Sequence, residues 1–358
     1  EYSDCWVDEA RLVVLNALDA ASKGAQILTR TACISARRDK GGWIVQTRDQ
    51  RSGEVRTVRA KVLVNASGPW VNDIINRVAG SNSRRSVRLV KGSHIIVPKF
   101  WSGQQAYLVQ NHDKRVIFIN PYEGDKALIG TTDIPYEGKP EEVKADETEI
   151  DYLIAAVNRY FKERLRRSDV IESFSGVRPL FDDGKGNPSA VTRDYVFDLD
   201  ETGGAPLLNV FGGKITTFRK LSEHAMQKLA KFFPKMGSDW TREAKLPGGD
   251  IPNADYVAFA DSLRSAYPWM PRALVNHYGH LYGARTRQIV GNATSLAGLG
   301  RHFGGNLYEA EARYLAASEW AQKAEDVLMR RTKEGLRMTA EEKADFSAWF
   351  DAELALAA

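Results

Sequence analysis

The stretch that most constrains the fold is residues 207–233, where a short apolar run leads through two glycines and a lysine into a helical pattern. Residues 207–210 predict a strand, and apolar residues then recur at helical spacing until Pro234 ends the helix. Gly212 and Gly213 allow the backbone to approach a ligand, and the helix start directs N–H groups and Lys214 toward it. The pattern predicts a site for an electron-rich or anionic group, with a plain tight turn as the alternative. The spacing of a Walker loop is absent.

Strand and helix patterns elsewhere predict an α/β core with an inserted sheet and an appended helical domain. Residues 8–23 and 147–161 show helical periodicity, and the chain is mostly helical beyond Trp240. Strands are predicted at residues 26–31, 43–47, 55–59, 61–65, 93–97, 106–110, 116–119 and 127–131. Residues 61–65 are so apolar that this strand is expected to be buried on both faces.

Composition excludes several classes of protein. The 358 residues suffice for about two or three domains. The 50 Lys and Arg residues against 46 Asp and Glu residues give a net charge of +4, which is too small for a dedicated nucleic-acid-binding protein. No apolar run is long enough to predict a transmembrane helix. Cys5 and Cys33 are too few for a disulfide scaffold, and Cys and His do not cluster, so no metal site and a reducing compartment are expected.

Two further side chains have a sequence context that suits catalysis. Arg178 lies between a strand-like run and Pro179, and a guanidinium held beside a bend can bind a carboxylate or phosphate with two N–H groups. An arginine in a surface ion pair is the alternative. His94 lies at the start of a predicted strand and titrates near neutral pH, which suits a general base. A structural histidine in the core or at a sheet edge is the alternative.

Three other motifs favour structural roles. His277 and His280 are three residues apart on a predicted helix, but no third ligand for a metal is near them in sequence. The basic run 330–333 is typical of a solvated helix face, with contact to anionic lipid as the alternative. Glycines at 184–186 and 298–300 lack the third glycine and the preceding strand of a dinucleotide-binding turn.

Taken in order, several motifs resemble the bacterial aerobic FAD-dependent glycerol-3-phosphate dehydrogenases, and the resemblance spans essentially the whole chain. The matching motifs are YSDCWVD (2–8), LTRT (28–31), VNASGPW (64–70), RLVKGSH (88–94), IGTTD (129–133), SGVRPL (175–180), TRDY (192–195), FGGKITT (211–217), LPGG (246–249) and RRTK (330–333).

The resemblance implies the fold and its division along the chain. It implies part of an FAD-binding Rossmann-like domain of the glutathione reductase and D-amino-acid oxidase type, an inserted and mostly antiparallel substrate-binding sheet, and an all-α C-terminal domain. Residues 1–80 and 171–234 are then expected in the FAD-binding domain, residues 81–170 in the substrate-binding sheet, and residues 235–358 in the helical domain.

The resemblance also implies the chemistry. In the family, sn-glycerol 3-phosphate is oxidised to dihydroxyacetone phosphate by hydride transfer to FAD, and ubiquinone reoxidises the flavin. His94, with Lys214 as its rival, is expected to accept the hydroxyl proton, and Arg178 is expected to bind the phosphate. The residues expected to contact FAD are Asn65, Ala66, Gly68, Pro69, Trp70, Gly212, Gly213, Lys214, Thr216 and Thr217.

A cytoplasmic enzyme bound peripherally to the inner face of the cell membrane is expected, and homodimerisation stays open. Three other functions stay open as well: a glycerol phosphate oxidase that reduces oxygen, a flavin amine oxidase that binds a carboxylate, and a non-catalytic interaction module. The chain contains no glycine-rich turn for the FAD pyrophosphate and does not begin with methionine. It is therefore expected to be a fragment that folds but neither binds FAD nor turns over substrate.

Overall fold

The computed structural model describes residues 7–81, 83, 85–182 and 194–357. Cys5, most of the motif at 2–8, Thr192, Arg193 and the glycines at 184–186 lie outside the described residues. Contacts between residues group the chain into a helical unit, Glu1–Thr29 with Glu243–Ala358, and a sheet unit, Arg30–Arg242. Among the described helices, none is both long and apolar enough to cross a bilayer. The four-part domain division stays a prediction.

The helices are α1 (Glu9–Ser22), α2 (Val71–Asp73), α3 (Glu147–Tyr160), α4 (Phe218–Leu229), α5 (Tyr256–Ala266), α6 (Arg272–Tyr282), α7 (Thr286–Val290), α8 (Glu309–Ser318) and α9 (Ala340–Ala357). The strands are β1 (Thr31–Asp39), β2 (Gly42–Asp49), β3 (Val55–Ala60), β4 (Leu63–Asn65), β5 (Val87–Pro98), β6 (Tyr107–Gln110), β7 (Val116–Tyr122), β8 (Lys126–Gly130), β9 (Ile134–Pro135), β10 (Glu172–Phe181), β11 (Tyr195–Asp200), β12 (Leu207–Gly212), β13 (His302–Gly304) and β14 (Leu307–Tyr308).

The largest sheet is antiparallel, with the strand order β10-β5-β8-β7-β6 and with β9 paired to β5. One face is apolar because every second residue of a strand points to it, and these residues include Ile95, Ile117 and Ile129. The helix α3 covers this face with Leu153 and Val157. The opposite face is open in the described chain, where Phe118 and Phe174 are exposed. The sheet therefore has one buried side and one side available to a ligand.

A second sheet pairs β12 with β11 in antiparallel and with β4 in parallel. Its central strand β12 lies where the run 207–210 predicts a strand, and it is buried along almost its whole length. The strands β1, β2 and β3 form a separate antiparallel meander, with Trp43 buried beneath it. The parallel pair with its flanking helices, the inserted antiparallel sheet and the helical unit are the architecture that the sequence predicts.

Three local predictions differ from the structure. The strand predicted at 26–31 does not form, because Arg30 has a φ of 51° and β1 begins only at Thr31. The strand β4 is not buried on both faces, since Val64 is 46% exposed where β4 forms the edge of its sheet. The helix predicted after Lys214 begins as a 3₁₀ turn, Ile215–Thr217, before α4 continues it.

The helical unit joins α1 to the C-terminal helices through a buried ion pair. Asp8 caps α1 by accepting a hydrogen bond from the Arg11 backbone N–H. The Arg11 guanidinium binds the Glu319 carboxylate with both terminal nitrogens, and its Nη2 lies 3.0 Å from Oε1. Arg11 Nε also donates to the Leu281 carbonyl at 3.1 Å. These contacts compensate the cost of burying both charges.

The basic run 330–333 is largely interior. Lys333 is buried and pairs with Asp8, and Arg331 donates to the Glu319 carbonyl at 2.8 Å. Only Arg330 of its three cations is exposed. The prediction of a solvated face, and its alternative of lipid contact, are therefore wrong for Arg331 and Lys333.

His277 has a structural role in the same unit. Its Nε2 lies 2.8 Å from Glu311 Oε1, and its Nδ1 lies 3.2 Å from Glu334 Oε1. The two carboxylates thus hold the ring from both sides. Within the described residues, no group of three or more His, Cys, Asp or Glu side chains could hold a metal ion.

We expect Glu319→Gln to lower the free energy of unfolding by about 3–5 kcal/mol, because it leaves the Arg11 guanidinium buried without a counter-charge. The matched control is Glu325→Gln, which removes an exposed carboxylate 3.9 Å from Arg330. That change is expected to cost less than about 1 kcal/mol. Urea unfolding of the three proteins measures both values, and equal losses would contradict the role given to the Arg11–Glu319 pair.

Candidate active site

The pairing of β5 with β10 brings the two predicted catalytic side chains to one face of the large sheet. His94 lies opposite Phe174, and Arg178 lies opposite Val90. Since side chains alternate along a strand, His94 and Arg178 both project to the open face, whereas Ile95 projects toward α3. The sheet thus places a candidate base and a candidate anion-binding cation on the same accessible surface.

Two glycines make room for these side chains. A Cβ atom at Gly92 would lie 2.6 Å from Arg178 Nη2, so the guanidinium occupies the space that a side chain would take. A Cβ atom at Gly130 would lie 2.1 Å from the His94 Cδ2 atom. Gly92 and Gly130 therefore determine where the Arg178 and His94 side chains lie. Both occur in motifs of the family resemblance, although the sequence alone does not indicate this role.

Arg178 is held by the loop that follows β8. Its Nη1 lies 2.8 Å from Asp133 Oδ1 and 3.4 Å from the Thr132 carbonyl oxygen, and its Nη2 lies 2.9 Å from Thr131 Oγ1. The side chain remains 32% exposed. Arg178 thus forms an ion pair, as the alternative to an anion-binding role predicts, and its partner Asp133 lies beside the candidate site. Sequence reasoning missed Thr131, Thr132 and Asp133 as site residues, although polar residues directly after a predicted strand could have indicated them.

His94 is a neutral base in this environment. Its ring stacks on Phe174 with a centroid distance of 5.2 Å, and its Nδ1 atom is buried without a hydrogen-bond partner in the described residues. Burial, and secondarily the positive charge of Arg178, lower the pKa of His94 to about 4. The imidazole is therefore uncharged at neutral pH and has a lone pair that can accept a proton.

The Gly-Gly-Lys turn after β12 joins a strand to a helix as the sequence predicts, but other protein atoms occupy the space beside its glycines. Gly212 and Gly213 have φ angles of +70° and +95°, which favour glycine. A Cβ atom at Gly212 would lie 2.9 Å from the Asp194 carbonyl oxygen, and one at Gly213 would lie 3.2 Å from the Tyr195 Cβ. Both glycines are thus required by the start of β11.

The residues that follow the turn are accessible. Lys214 and Thr216 are exposed, and the 3₁₀ turn Ile215–Thr217 begins without a side-chain cap on its N–H groups. Thr217 Oγ1 donates to the Lys214 carbonyl at 2.8 Å, which stabilises the turn. The lysine and the uncapped N–H groups together form a positively polarised helix start.

The turn after β4 is organised by Asn65. Its side-chain amide donates to the Val71 carbonyl at 3.0 Å and to Asn209 Oδ1 at 2.9 Å, and its Oδ1 accepts from the Ser67 hydroxyl at 2.6 Å. Asn65 is buried and links β4, β12 and the turn, so its side chain holds the backbone in place.

The rest of the VNASGPW motif forms this turn. Gly68 has a φ of +56°, Ala66 and Trp70 are exposed, and Pro69 is partly buried. Trp70 Nε1 donates to Glu141 Oε2 at 3.2 Å.

The two groups of predicted site residues meet along β10. A Cβ atom at Gly68 would lie 3.9 Å from Pro179 Cγ, and one at Gly212 would lie 3.4 Å from the Phe181 backbone nitrogen. Pro179 directly follows Arg178, so the turn after β4, the end of β12 and the anion-binding candidate lie beside the same strand. This convergence at strand ends is typical of ligand sites in α/β sheets.

Comparison with known proteins agrees with this geometry. A family model described as "FAD dependent oxidoreductase" matches residues 1–219, and one described as "C-terminal domain of alpha-glycerophosphate oxidase" matches residues 240–345. The chain belongs to the FAD-dependent oxidoreductase family. This assignment confirms the predicted fold class and identifies FAD as the cofactor. The expectation that the chain does not bind FAD finds no support in these comparisons.

Relatives match the chain along nearly its whole length. D-erythritol 1-phosphate dehydrogenase of Brucella abortus is 72% identical over 98% of the chain and 70% of the relative. Aerobic glycerol-3-phosphate dehydrogenase of Escherichia coli is 47% identical over the same shares. The crystal structure of glycerol-3-phosphate dehydrogenase from Bacillus halodurans complexed with FAD superposes with a TM-score of 0.78 at 25% identity, over 96% of this chain and 72% of that chain.

The described residues fit a flavin in one region of the sheet unit. A positively polarised helix start with an exposed lysine suits the electron-rich edge of the isoalloxazine ring, and it lies at the end of a strand in a parallel pair. The exposed Lys214 and Thr216 are available to a ligand, whereas Asn65, Gly212 and Gly213 hold the surrounding backbone.

We expect Gly92→Ala to raise the KM for a phosphorylated polyol about tenfold, because the new methyl group displaces the Arg178 guanidinium. The methyl group would also lie 2.6 Å from Thr131 Oγ1, on a short side chain, so we expect the free energy of unfolding to fall by about 1–3 kcal/mol. Gly176→Ala is the matched control. Gly176 pairs with Gly92 across the strands, and its Cβ position has no atom within 4 Å. Equal KM values for the two variants of the FAD-loaded enzyme would contradict this role of Gly92.

The low pKa of His94 predicts a pH dependence of stability. Between about pH 6.5 and pH 4 the unfolded chain binds a proton on His94 that the folded protein does not, so the free energy of unfolding falls as the pH falls. The contribution of His94 should be about 3 kcal/mol between pH 7 and pH 4. Urea unfolding of the wild type and His94→Gln across this range measures it, and the variant should show the weaker pH dependence. Identical curves would contradict the burial of a neutral His94.

Proposed function

We propose that this protein oxidises a hydroxyl group of a phosphorylated polyol with FAD as cofactor, and that its substrate is D-erythritol 1-phosphate. The observation that carries the proposal is the neutral His94 beside the Arg178 cation on one open sheet face. The choice of polyol is supported by the 72% identity to the D-erythritol 1-phosphate dehydrogenase, against 47% to the aerobic glycerol-3-phosphate dehydrogenase.

Oxidation of sn-glycerol 3-phosphate to dihydroxyacetone phosphate is the second candidate. Several relatives with 45–47% identity bear the name of that activity, and the motifs of the sequence resemble that family. Both candidates share the reaction and the phosphate group. They differ by one hydroxymethylene unit, so the same Arg178 and His94 roles apply to each.

In either case Arg178 binds the phosphate and orients the substrate on the sheet. The guanidinium already pairs with Asp133, so a ligand must interact more strongly than one carboxylate. A phosphate dianion has twice the charge of a carboxylate and favours this exchange. The same argument disfavours the flavin amine oxidase alternative, whose substrate carries a single carboxylate.

His94 accepts the proton of the hydroxyl group that is oxidised. We assign this role to Nε2, because Nδ1 is buried among protein atoms. Burial and, secondarily, the positive charge of Arg178 lower the His94 pKa. A phosphate dianion beside Arg178 offsets the second of these effects, so the ring becomes more basic when substrate is bound. Lys214 remains the rival base.

FAD, when bound, supplies the acceptor for the hydride. Within the proposal, Lys214, Thr216 and the uncapped N–H groups of Ile215–Thr217 contact the flavin, as do Trp70, Ala66, Pro69 and Gly68 from the turn after β4. Asn65, Gly212, Gly213 and Thr217 fix the backbone of both turns.

Ubiquinone is the electron acceptor we propose, with oxygen as the alternative that an oxidase would use. The proposal rests on the motif resemblance, as do a peripheral location on the inner face of the cell membrane and a homodimer. Stopped-flow reoxidation of the reduced flavin with a soluble quinone and with oxygen separates the two acceptors. Faster reoxidation by oxygen would reject the quinone.

The substrate is tested by anaerobic reduction of the FAD-loaded enzyme with each polyol phosphate. We expect kcat/KM for D-erythritol 1-phosphate to exceed that for sn-glycerol 3-phosphate by about tenfold or more, the range that one additional carbon unit supplies in a fitted pocket. A higher value for glycerol 3-phosphate would establish the second candidate. Absence of flavin reduction by both would reject the proposed function.

The anion-binding role is tested by Arg178→Ala and Arg178→Lys. Loss of a charge-assisted pair of this kind costs about 2–5 kcal/mol, so kcat/KM should fall at least about 30-fold in the alanine variant and less in the lysine variant. Arg167→Ala is the control, since Arg167 pairs with Asp151 at 2.7 Å on the α3 side of the sheet. Unchanged kinetics of Arg178→Ala would remove Arg178 from the site.

A further inference from the structure

The loop between β8 and β9 connects the open face of the large sheet to its buried face. Thr131 and Asp133 bind the Arg178 guanidinium on the open face. Thr132, between them, points its side chain to the α3 side, where it is 1% exposed. Consecutive residues of this loop therefore contact both sides of the sheet.

The Thr132 hydroxyl is held from two directions. It donates to Glu149 Oε1 at 2.7 Å and accepts from the Ser93 backbone N–H at 2.9 Å. Because the hydroxyl proton is donated to the Glu149 carboxylate, the Thr132 side chain has one favoured orientation. The Thr132 carbonyl in turn accepts from Arg178 Nη1 at 3.4 Å and from the Thr131 hydroxyl at 3.1 Å.

Glu149 is itself fixed on α3. Its Oε2 lies 2.6 Å from Lys91 Nζ and 3.2 Å from the Asp146 backbone N–H, while its own N–H donates to Asp146 Oδ1 at 2.9 Å. Burial opposes the charge on Lys91, but its hydrogen bonds to Glu149 and Asp146 outweigh that effect and raise the pKa of Lys91. The carboxylate is thus buried, satisfied on both oxygens and held at a defined place.

We infer that Glu149 is a positioning residue for the anion site, which it sets through Thr132 from the opposite face of the sheet. The inference deepens the proposed function, because it rests on Arg178 as the phosphate ligand. Glu149 contacts the buried side of the loop, and Arg178 contacts its open side. Loosening Thr132 therefore frees Thr131 and Asp133, and the guanidinium loses the geometry that phosphate requires.

The test compares Thr132→Val, which keeps the shape but removes the hydroxyl, with Thr132→Ser, which keeps the hydroxyl. Isothermal titration of each FAD-loaded variant with inorganic phosphate measures Kd without turnover. We expect Kd to rise about tenfold in Thr132→Val and to stay within about twofold in Thr132→Ser. Glu149→Gln, which keeps an oxygen acceptor but loses the ion pair with Lys91, should raise Kd about threefold to fivefold.

Ser93→Ala is the matched control for a merely structural loss. It removes the partly buried hydrogen bond between Ser93 Oγ and Ser175 Oγ, which measures 2.6 Å and joins β5 to β10. The Ser93 backbone N–H that binds Thr132 is retained. We expect a loss of stability comparable to that of Thr132→Val, with Kd for phosphate within about twofold of the wild type. A control that weakens phosphate binding as much as Thr132→Val would overturn the inference.

A double variant separates the inference from the proposed function. In the Arg178→Ala background, Thr132→Val should change Kd by less than about twofold, because the group that it positions is gone. Full additivity of the two substitutions, or wild-type binding by Thr132→Val alone, would overturn the role of Glu149 and Thr132. Wild-type phosphate binding by Arg178→Ala would instead reject Arg178 as the ligand. Should Thr132→Val fail to fold, Glu149→Gln gives the same comparison.

Discussion

The antiparallel register between β5 and β10 is the constraint on which the candidate site depends. His94 and Arg178 lie on different strands and are separated by more than eighty residues, yet this register projects both to the open face. A shift of this register by one residue would turn one of the two side chains toward α3 and place a core residue on the open face instead. The apolar alternation that packs Ile95 against α3 therefore also orients the chemistry on the other side.

Glycine determines the detail within that register. The absence of a side chain at Gly92 leaves the space on β5 that the Arg178 guanidinium occupies, whereas no atom lies within 4 Å of the Cβ position of Gly176 on the opposite strand. Gly130 likewise leaves space for the His94 ring. The candidate site is thus formed by side chains that pack against glycine backbone, which restricts their rotamers.

Charge is balanced separately on the two faces of the sheet. On the covered face Lys91 pairs with Glu149 and Asp146, and on the open face Arg178 pairs with Asp133. The buried pair keeps its partners because desolvated charges are costly to separate. The open pair is more accessible, so an incoming dianion can compete for the guanidinium and change the charge beside His94. If Arg178 binds the phosphate as proposed, substrate binding raises the proton affinity of His94.

The sequence by itself determined the element types, the fold class and the chemical character of the candidate residues. Helical periodicity located α1 and α3, the apolar run located β12, and the glycines of the FGGKITT motif indicated a turn between a strand and a helix. These features depend on neighbours in sequence, whose influence a local pattern records. The resemblance of the motifs singled out His94 and Arg178, and the structure places both on one surface.

Only the tertiary structure decided how these residues act together. The roles of Asp133, Thr132 and Glu149 arise from strand pairing and from the packing of α3, which bring together residues far apart in the chain. The interior position of Lys333 was also beyond a local pattern, because its partner Asp8 lies near the other end of the sequence. Burial and long-range ion pairing are properties of the folded chain. The sequence of a run of charged residues does not show whether the side chains face solvent or a buried carboxylate.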